Sequence, residues 1–474
     1  MIGMKKIWIL SFVAVLTACN NFDDDLNVNP NVPSAASNTQ LLAYAMRSLP
    51  ETMASASGPL YAQQISEAEY ITLSRYETVY YNFYNWYSGP LMNIEKVLTA
   101  ESFNVSEGPI ANQLAVAKIL KAYFFWYATD RWGDLPYSAA LRGNQDFTPA
   151  YDTQESIYNA LFTLLDEANA EIVSGNISND IVYGGNVTRW KKLANTIHML
   201  MALRLSKVNP AKGAEEFNKA LTAGIMTGNA DNLVYAHLSD PNNWNYWYQV
   251  FSVQNREWYA VSKPLVDYML PVNDPRLPLF ANRNEAGQFA GLAYGLMGNE
   301  VNTGVYQKKN VSMLGTGMRQ STTPRYVVTY AQALFAKAEA AKLGWIAGGD
   351  AEAELNYNLA IEQSVRQWNN NSTAGLPEMM STPEIQYDPN RGLEQIGYQR
   401  WVHLFLNGYE AWAEWRRTGY PVLVPPSNNN DRPIPRREAY PTQEEQNNSQ
   451  SYNEAVQRLG GTNDLNGRVW WDKP

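Results

Sequence analysis

Cysteine occurs once in the 474 residues, at Cys19. No disulfide can form within the chain, so its core must hold by packing alone. Histidine occurs three times, at His198, His237 and His403, and with one cysteine these cannot supply a conventional Cys/His zinc cluster. Also missing are G-x-S-x-G, H-E-x-x-H, a P-loop and G-x-G-x-x-G, which removes the common hydrolase, metalloprotease and nucleotide-binding signatures. A basic excess is lacking too: 46 acidic against 37 basic residues give a net charge of −9. That balance excludes a duplex nucleic-acid partner, which demands a basic face, and argues against anionic polymers as ligands. No run after the first 20 residues approaches the roughly 18 apolar residues of a membrane helix, and no Pro/Ser or charged linker divides the chain after residue 40. One large body with no cofactor is expected.

What is present begins with Lys5 and Lys6, then "IWILSFVAVL", then small residues leading to Cys19. This is the charge, hydrophobe, small-residue order of a secretory signal. As a helix the apolar run is roughly 15 Å long, about half of what a spanning segment needs. "LTAC" resembles the bacterial lipobox, which predicts cleavage before Cys19, acylation of its thiol and a lipid anchor. The segments expected are a signal peptide over 1–18, an acidic and polar tether over 19–39, and a folded body over 40–474. The run "DDD" after the cysteine resembles the signal that sends Bacteroidetes-type lipoproteins to the outer face of the outer membrane.

Helical periodicity is strong in the body. In "RWKKLANTIHMLMALRL", Trp190, Leu193, Ala194, Ile197, Leu200, Met201 and Leu205 recur at steps of three and four and form one core-facing stripe. "NYNLAIEQSVRQW" repeats the pattern and follows the Ala-rich "YAQALFAKAEAAKLGW", so the two read as a helical hairpin. "LAVAKILKAYFFWYATDRWGDLPY" ends at Gly133. The stretch "LEQIGYQRWVHLFLNGYEAWAEWRRTGYP" holds its period from Leu393 to Trp415, predicting one helix of about six turns that stops at Gly419 and Pro421, with Arg416 and Arg417 complementing its negative end. Irregularly spaced helix pairs of this kind are TPR-like. Residues 228–325 and 421–474 show no period and read as long functional loops.

"DRWGDLPY" (130–137), "RWKKLAN" (189–195), "DPRLPLF" (274–280), "AKAEAAKLGW" (336–345) and "RVWWDK" (468–473) together resemble the SusD/RagB family in order and spacing over nearly the whole mature chain. The resemblance implies a mostly α, SusD-like fold with four TPR-like helical hairpins and a looped ligand-binding half. It also implies capture of oligomeric nutrients, oligosaccharide or peptide, at the cell surface, and their delivery to a SusC-like TonB-dependent transporter in the outer membrane. The motif residues themselves read as structural. Asp130, Arg131, Trp132 and Asp134 fit carboxylate–arginine pairing and capping at a helix exit, and Asp274 with Arg276 fits a turn clamp.

Sugar sites combine flat aromatic platforms with amide or charged hydrogen-bonders, and peptides can use the same surfaces. Two stretches interleave such residues, "YYNFYNWYSGPLMN" (80–93) and "DPNNWNYWYQVFSVQNREWYA" (240–260). Tyr84, Trp86, Trp244, Tyr246 and Trp247 are the expected platforms, with Asn85, Asn243 and Asn245 as hydrogen-bonders. A glycosidase needs two carboxylates across a scissile bond. Glu410 and Glu414, one turn apart beside arginines, read instead as ordinary surface pairing, and Glu67 and Glu69 stand alone. An enzyme on the same scaffold, glycosidase or peptidase, and a TPR-like scaffold binding only protein are the rival readings.

Overall fold

The computed structural model describes residues 36–426 and 429–474; Cys19 and most of the tether expected over 19–39 lie outside them. Four helix pairs carry the fold. They are α1 (Asn38–Arg47) with α2 (Met92–Leu98), α3 (Ile110–Trp132) with α4 (Gln154–Glu171), α5 (Val187–Arg204) with α6 (Pro210–Ala223), and α7 (Tyr330–Lys342) with α8 (Gly349–Trp368). Each successive pair also packs on the one before, α2 on α3, α4 on α5 and α5 on α7. Local chemistry sets their ends: Ser37 with Gln40 and Thr329 with Gln332 form capping boxes, and Gly133 takes a φ of 88° at the end of α3.

The stripe read on α5 is real but too narrow. Trp190, Leu193, Ala194, Ile197, Leu200 and Met201 are buried, and so are Thr196, His198, Met199, Leu203 and Arg204, because α3, α6 and α7 enclose the helix on several sides. The six-turn helix is a correction. It is two helices, α9 (Gly392–His403) and α10 (Gly408–Thr418), with Leu406 between them at a φ of 62°. Gln64 holds that break, donating to the Trp401 and Leu404 carbonyls and accepting from the Leu406 N–H. A buried amide thereby satisfies the backbone groups that an unbroken helix would pair internally. The stop at Gly419 stands, with its φ of 80°.

Glu410 and Glu414 are corrected as well. Both side chains lie in a buried ion-pair network: Glu414 contacts Arg204, Arg400 and Arg417, Glu410 lies 2.6 Å from Arg204, and Glu339 lies 2.8 Å from Arg400 and 2.5 Å from Arg417. Arg417 therefore serves α7 as much as its own helix end. Arg416 donates to the Asp130 and Arg436 carbonyls and lies over the Trp412 ring. The "DRWGD" residues are structural by different pairings: Arg131 bonds Glu438, Asp130 bonds Arg204 and the Trp471 indole, and Asp134 accepts from the Gln154 N–H at the start of α4. Asp274 and Arg276 clamp their own turn at 2.6 and 2.9 Å.

The remaining chain lies over this scaffold as three two-stranded antiparallel ribbons, short helices and loops. The ribbons pair β1 (Ile65–Glu67) with β5 (Tyr259–Val261), β2 (Leu135–Pro136) with β3 (Tyr151–Asp152), and β4 (Leu233–Tyr235) with β6 (Arg325–Val328). The region 421–474 also contains a helix that the sequence reading missed, α11 (Ser449–Arg458), which buries Tyr452, Ala455 and Val456 on one face. One large hydrophobic cluster fills the first three hairpins and reaches α7, a separate one with Phe335, Tyr357 and Ile361 packs α7 on α8, and another, around Trp247, Phe280, Trp401, Phe405 and Trp412, supports the looped half.

Candidate ligand-binding site

A cavity of about 260 Å³ opens where the carboxyl end of α1 meets the β4–β6 ribbon and the loop that follows β4. Of the expected residues, Asn243, Trp244 and Tyr246 line it together. The loop is built to hold them. Asp240 caps a single helical turn over Pro241–Asn243 by accepting from the Asn242 N–H. Asn243 then uses every polar group: its carboxamide accepts from the Leu238 N–H at 2.7 Å and donates to the Tyr235 hydroxyl at 2.6 Å, while its carbonyl faces His237 Nδ1 at 2.7 Å. The half-buried Trp244 ring is fixed by its indole N–H on the Ser239 carbonyl and by edge contact with Tyr248.

The other expected residues have different roles. Trp247 is completely buried between Phe251 and Tyr259, and Trp86 is buried against Phe124 and Tyr127, so neither ring is a platform. Asn245, also fully buried, caps the turn Tyr246–Tyr248 and donates to the Thr323 carbonyl. Tyr84 donates its hydroxyl to Glu444 at 2.6 Å, and Asn85 is exposed; the three residues 84–86 do not line the cavity. Aromatic and amide density, the property that distinguishes both stretches, is common to core and surface and cannot separate them.

Several lining residues escaped the sequence reading. Tyr44, Arg47 and Glu51 come from α1 and the turn after it, His237 from the loop, and Arg325 from β6. Burial raises the Glu51 carboxyl, and Arg47 pulls it back. Burial lowers the His237 imidazole, the hydrogen bond to Asn243 opposes this, and Arg325 pushes in the same direction as burial. No local signal marks these residues, because a strand arginine and a loop histidine look like any surface pair until the ribbon closes. Among the described residues that line the cavity, Glu51 is the carboxylate.

Two other clusters are less suited to a ligand. Tyr70, 59% exposed, meets the Trp258 ring edge to face at 4.9 Å, and Arg256 lies 4.4 Å over the same indole, an open surface without walls. Asp166, His198 and Glu216 bring their ligand atoms within 4.8 Å, but Lys219 already contacts Asp166 and Lys212 lies 3.1 Å from Glu216. The ammonium groups supply the positive charge that a metal ion would bring.

Four helical hairpins, a looped half laid over them and a walled aromatic cavity define a TPR-like helical fold with a candidate ligand site. The chain belongs to the SusD-like family described as "Starch-binding associating with outer membrane", which it matches over residues 30–441. Among solved structures it is similar to a chitin-binding protein, with 30% identity, a TM-score of 0.82 and coverage of 92% of this chain and 100% of that one. A SusD homologue from Bacteroides fragilis shares the fold at 24% identity and a TM-score of 0.80, covering 92% and 100% of the two chains. A chitin-binding SusD homologue from Flavobacterium johnsoniae does so at 23% identity and a TM-score of 0.78, covering 92% and 98%. None of the curated proteins matches. No helix among the described residues is long and apolar enough to cross a membrane.

Proposed function

We propose that this protein is a lipid-anchored, surface-exposed binding protein that takes an oligosaccharide into the Trp244 cavity and passes it, chemically unchanged, to a SusC-like TonB-dependent barrel. The observation that carries this reading is the convergence of Asn243, Trp244 and Tyr246 on one cavity. A half-buried indole beside amides suits a sugar ring, which has an apolar face and a hydroxyl rim. At about 260 Å³ the cavity is slightly smaller than the roughly 300 Å³ at which ligand pockets begin, so it takes one end or one ring of a chain that continues outside. Family membership and a chitin-binding relative at 30% identity support a glycan over a peptide.

The test is calorimetric titration of the purified protein with a panel of oligosaccharides, chitin oligomers first, followed by mass analysis of the ligand. Binding with an intact ligand, weakened about ten-fold or more by Trp244→Ala, is expected, since loss of one stacking platform is worth roughly 1–3 kcal/mol. Shortened products would establish a hydrolase in its place. Binding confined to peptides would replace the glycan, and binding confined to other proteins would leave only a helical assembly scaffold. Delivery is checked separately, by isolating the protein from membranes and asking whether a barrel accompanies it.

A further inference from the structure

The same cavity holds two buried polar groups whose capacity the protein leaves unused. Arg325 is 5% exposed, and its guanidinium makes a single hydrogen bond among the described residues, from Nη2 to Asn245 Oδ1 at 2.9 Å. The other buried arginines are better provided for. Arg131, Arg204, Arg276, Arg400 and Arg417 each bond a carboxylate, while Arg416 and Arg437 each donate twice to oxygens of the chain. Burial lowers the pKa of Arg325 to about 9, opposed only by the Tyr246 phenol. Arg47 and Glu51 line the cavity too, and among the described residues no ion pair joins Glu51 to Arg325. A guanidinium that lines a cavity with no anion bonded to it can take one from a ligand.

His237 supplies the second group. Its Nδ1 faces the Asn243 carbonyl, which can only accept, so Nδ1 carries the proton. Nε2 is then a bare acceptor, buried and without a partner. Burial and Arg325 both keep the ring neutral. A cation for an anionic group therefore stands beside an acceptor for a hydroxyl, with an indole as the third wall.

We propose that this cavity selects a carboxylate-bearing sugar, a uronate residue of an oligosaccharide, with the carboxylate against Arg325, a ring hydroxyl donated to His237 Nε2 and the ring face on Trp244. The proposal rests on the oligosaccharide reading above and narrows it. A uronate carries its carboxylate and hydroxyls on one ring, which is what a cation and a hydroxyl acceptor in one small cavity select. A sulfate ester also presents an anion on a hydroxyl-bearing ring, and the sulfated tetrasaccharide in the set below distinguishes the two.

The experiment is titration of the purified protein with tetrasaccharides of galacturonate, mannuronate, guluronate and glucuronate, each beside its methyl ester. Chitotetraose, a sulfated tetrasaccharide and an acidic peptide complete the set. At least one uronate should bind about ten-fold more tightly than its ester, as expected for a hydrogen bond to a charged group. Arg325→Gln should bring the ratio of acid to ester affinity close to one. The ratio in the unmodified protein decides the matter even if the variant folds poorly. Equal binding of acid and ester, or preference for the sulfated ligand or the peptide, overturns the proposal. Tight binding of chitotetraose without acid preference also overturns it and leaves the oligosaccharide reading standing. Failure of every oligosaccharide to bind removes both.

Discussion

Trp244 and Trp247 stand three positions apart in one short loop and have opposite roles, because the first indole lines a cavity and the second is closed in by Phe251 and Tyr259. Trp247→Ala should cost about 3–5 kcal/mol in denaturant unfolding, the range for deleting a large buried aromatic. Trp244→Ala should change stability by no more than about 1 kcal/mol while weakening ligand binding. Glu67 belongs to the same scale. It is buried, accepts the Ser74 N–H and hydroxyl at 2.8 and 2.7 Å, and burial raises its pKa to about 7. The folded protein thus keeps a proton that the unfolded chain releases near pH 4.5, so this contribution is complete below that pH and is lost as the pH rises through 7. Glu67→Gln keeps the acceptor and removes the titration. At pH 8 it should stabilise the protein by roughly 1–3 kcal/mol, with little change at pH 4, when the two melting curves are compared.

Among the elements, α10 is held by a close backbone approach at its start. A Cβ built on Gly408 at its start would lie 2.0 Å from Pro59 N and 2.4 Å from the Gly58 carbonyl carbon, so the short helix Ser57–Tyr61 approaches backbone to backbone. Gly408→Ala should therefore destabilise by about 3 kcal/mol or more, since backbone cannot yield as a flexible side chain does. On the same helix, burial pushes the Glu414 carboxyl up, but Arg400, Arg417 and Arg204 hold it well below the usual range. Glu414→Ala strands those guanidinium groups and should cost about 3–5 kcal/mol, read from chemical denaturation. The single long helix expected over α9 and α10 shows how such features hide. Apolar period continues from Leu404 to Gly408 and Ala411, while the break is held by Gln64, more than 300 positions away.

For the whole molecule, the net charge of −9 argued against anionic ligands, yet charge averaged over a surface does not set the potential inside one cavity. Arg325 lines the cavity itself, so its charge acts there at contact range, whereas the acidic surplus is summed over the whole chain. At this scale the proposed lipid anchor is also testable: Cys19→Ser should move the protein from the membrane fraction to a soluble one, measured by fractionation and blotting. The helical hairpins, the exit turn at Gly133 and the clamp of Asp274 with Arg276 were legible from the chain, because capping, turn chemistry and a 3.6-residue period act within a few positions. The stretch 240–260 was legible as a candidate site, but the division of its aromatics between core and cavity was not.

What the sequence determined alone is the helical character, the motifs of the family and the expected address before Cys19, all encoded locally. What only tertiary structure decided is which side chains meet. Pairing of β4 with β6 carries Arg325 to the loop that holds His237 and Trp244, and α1 closes the cavity from nearly 200 positions away. A site made by long-range closure has no period for a sequence to display, since its members share a volume and not a segment.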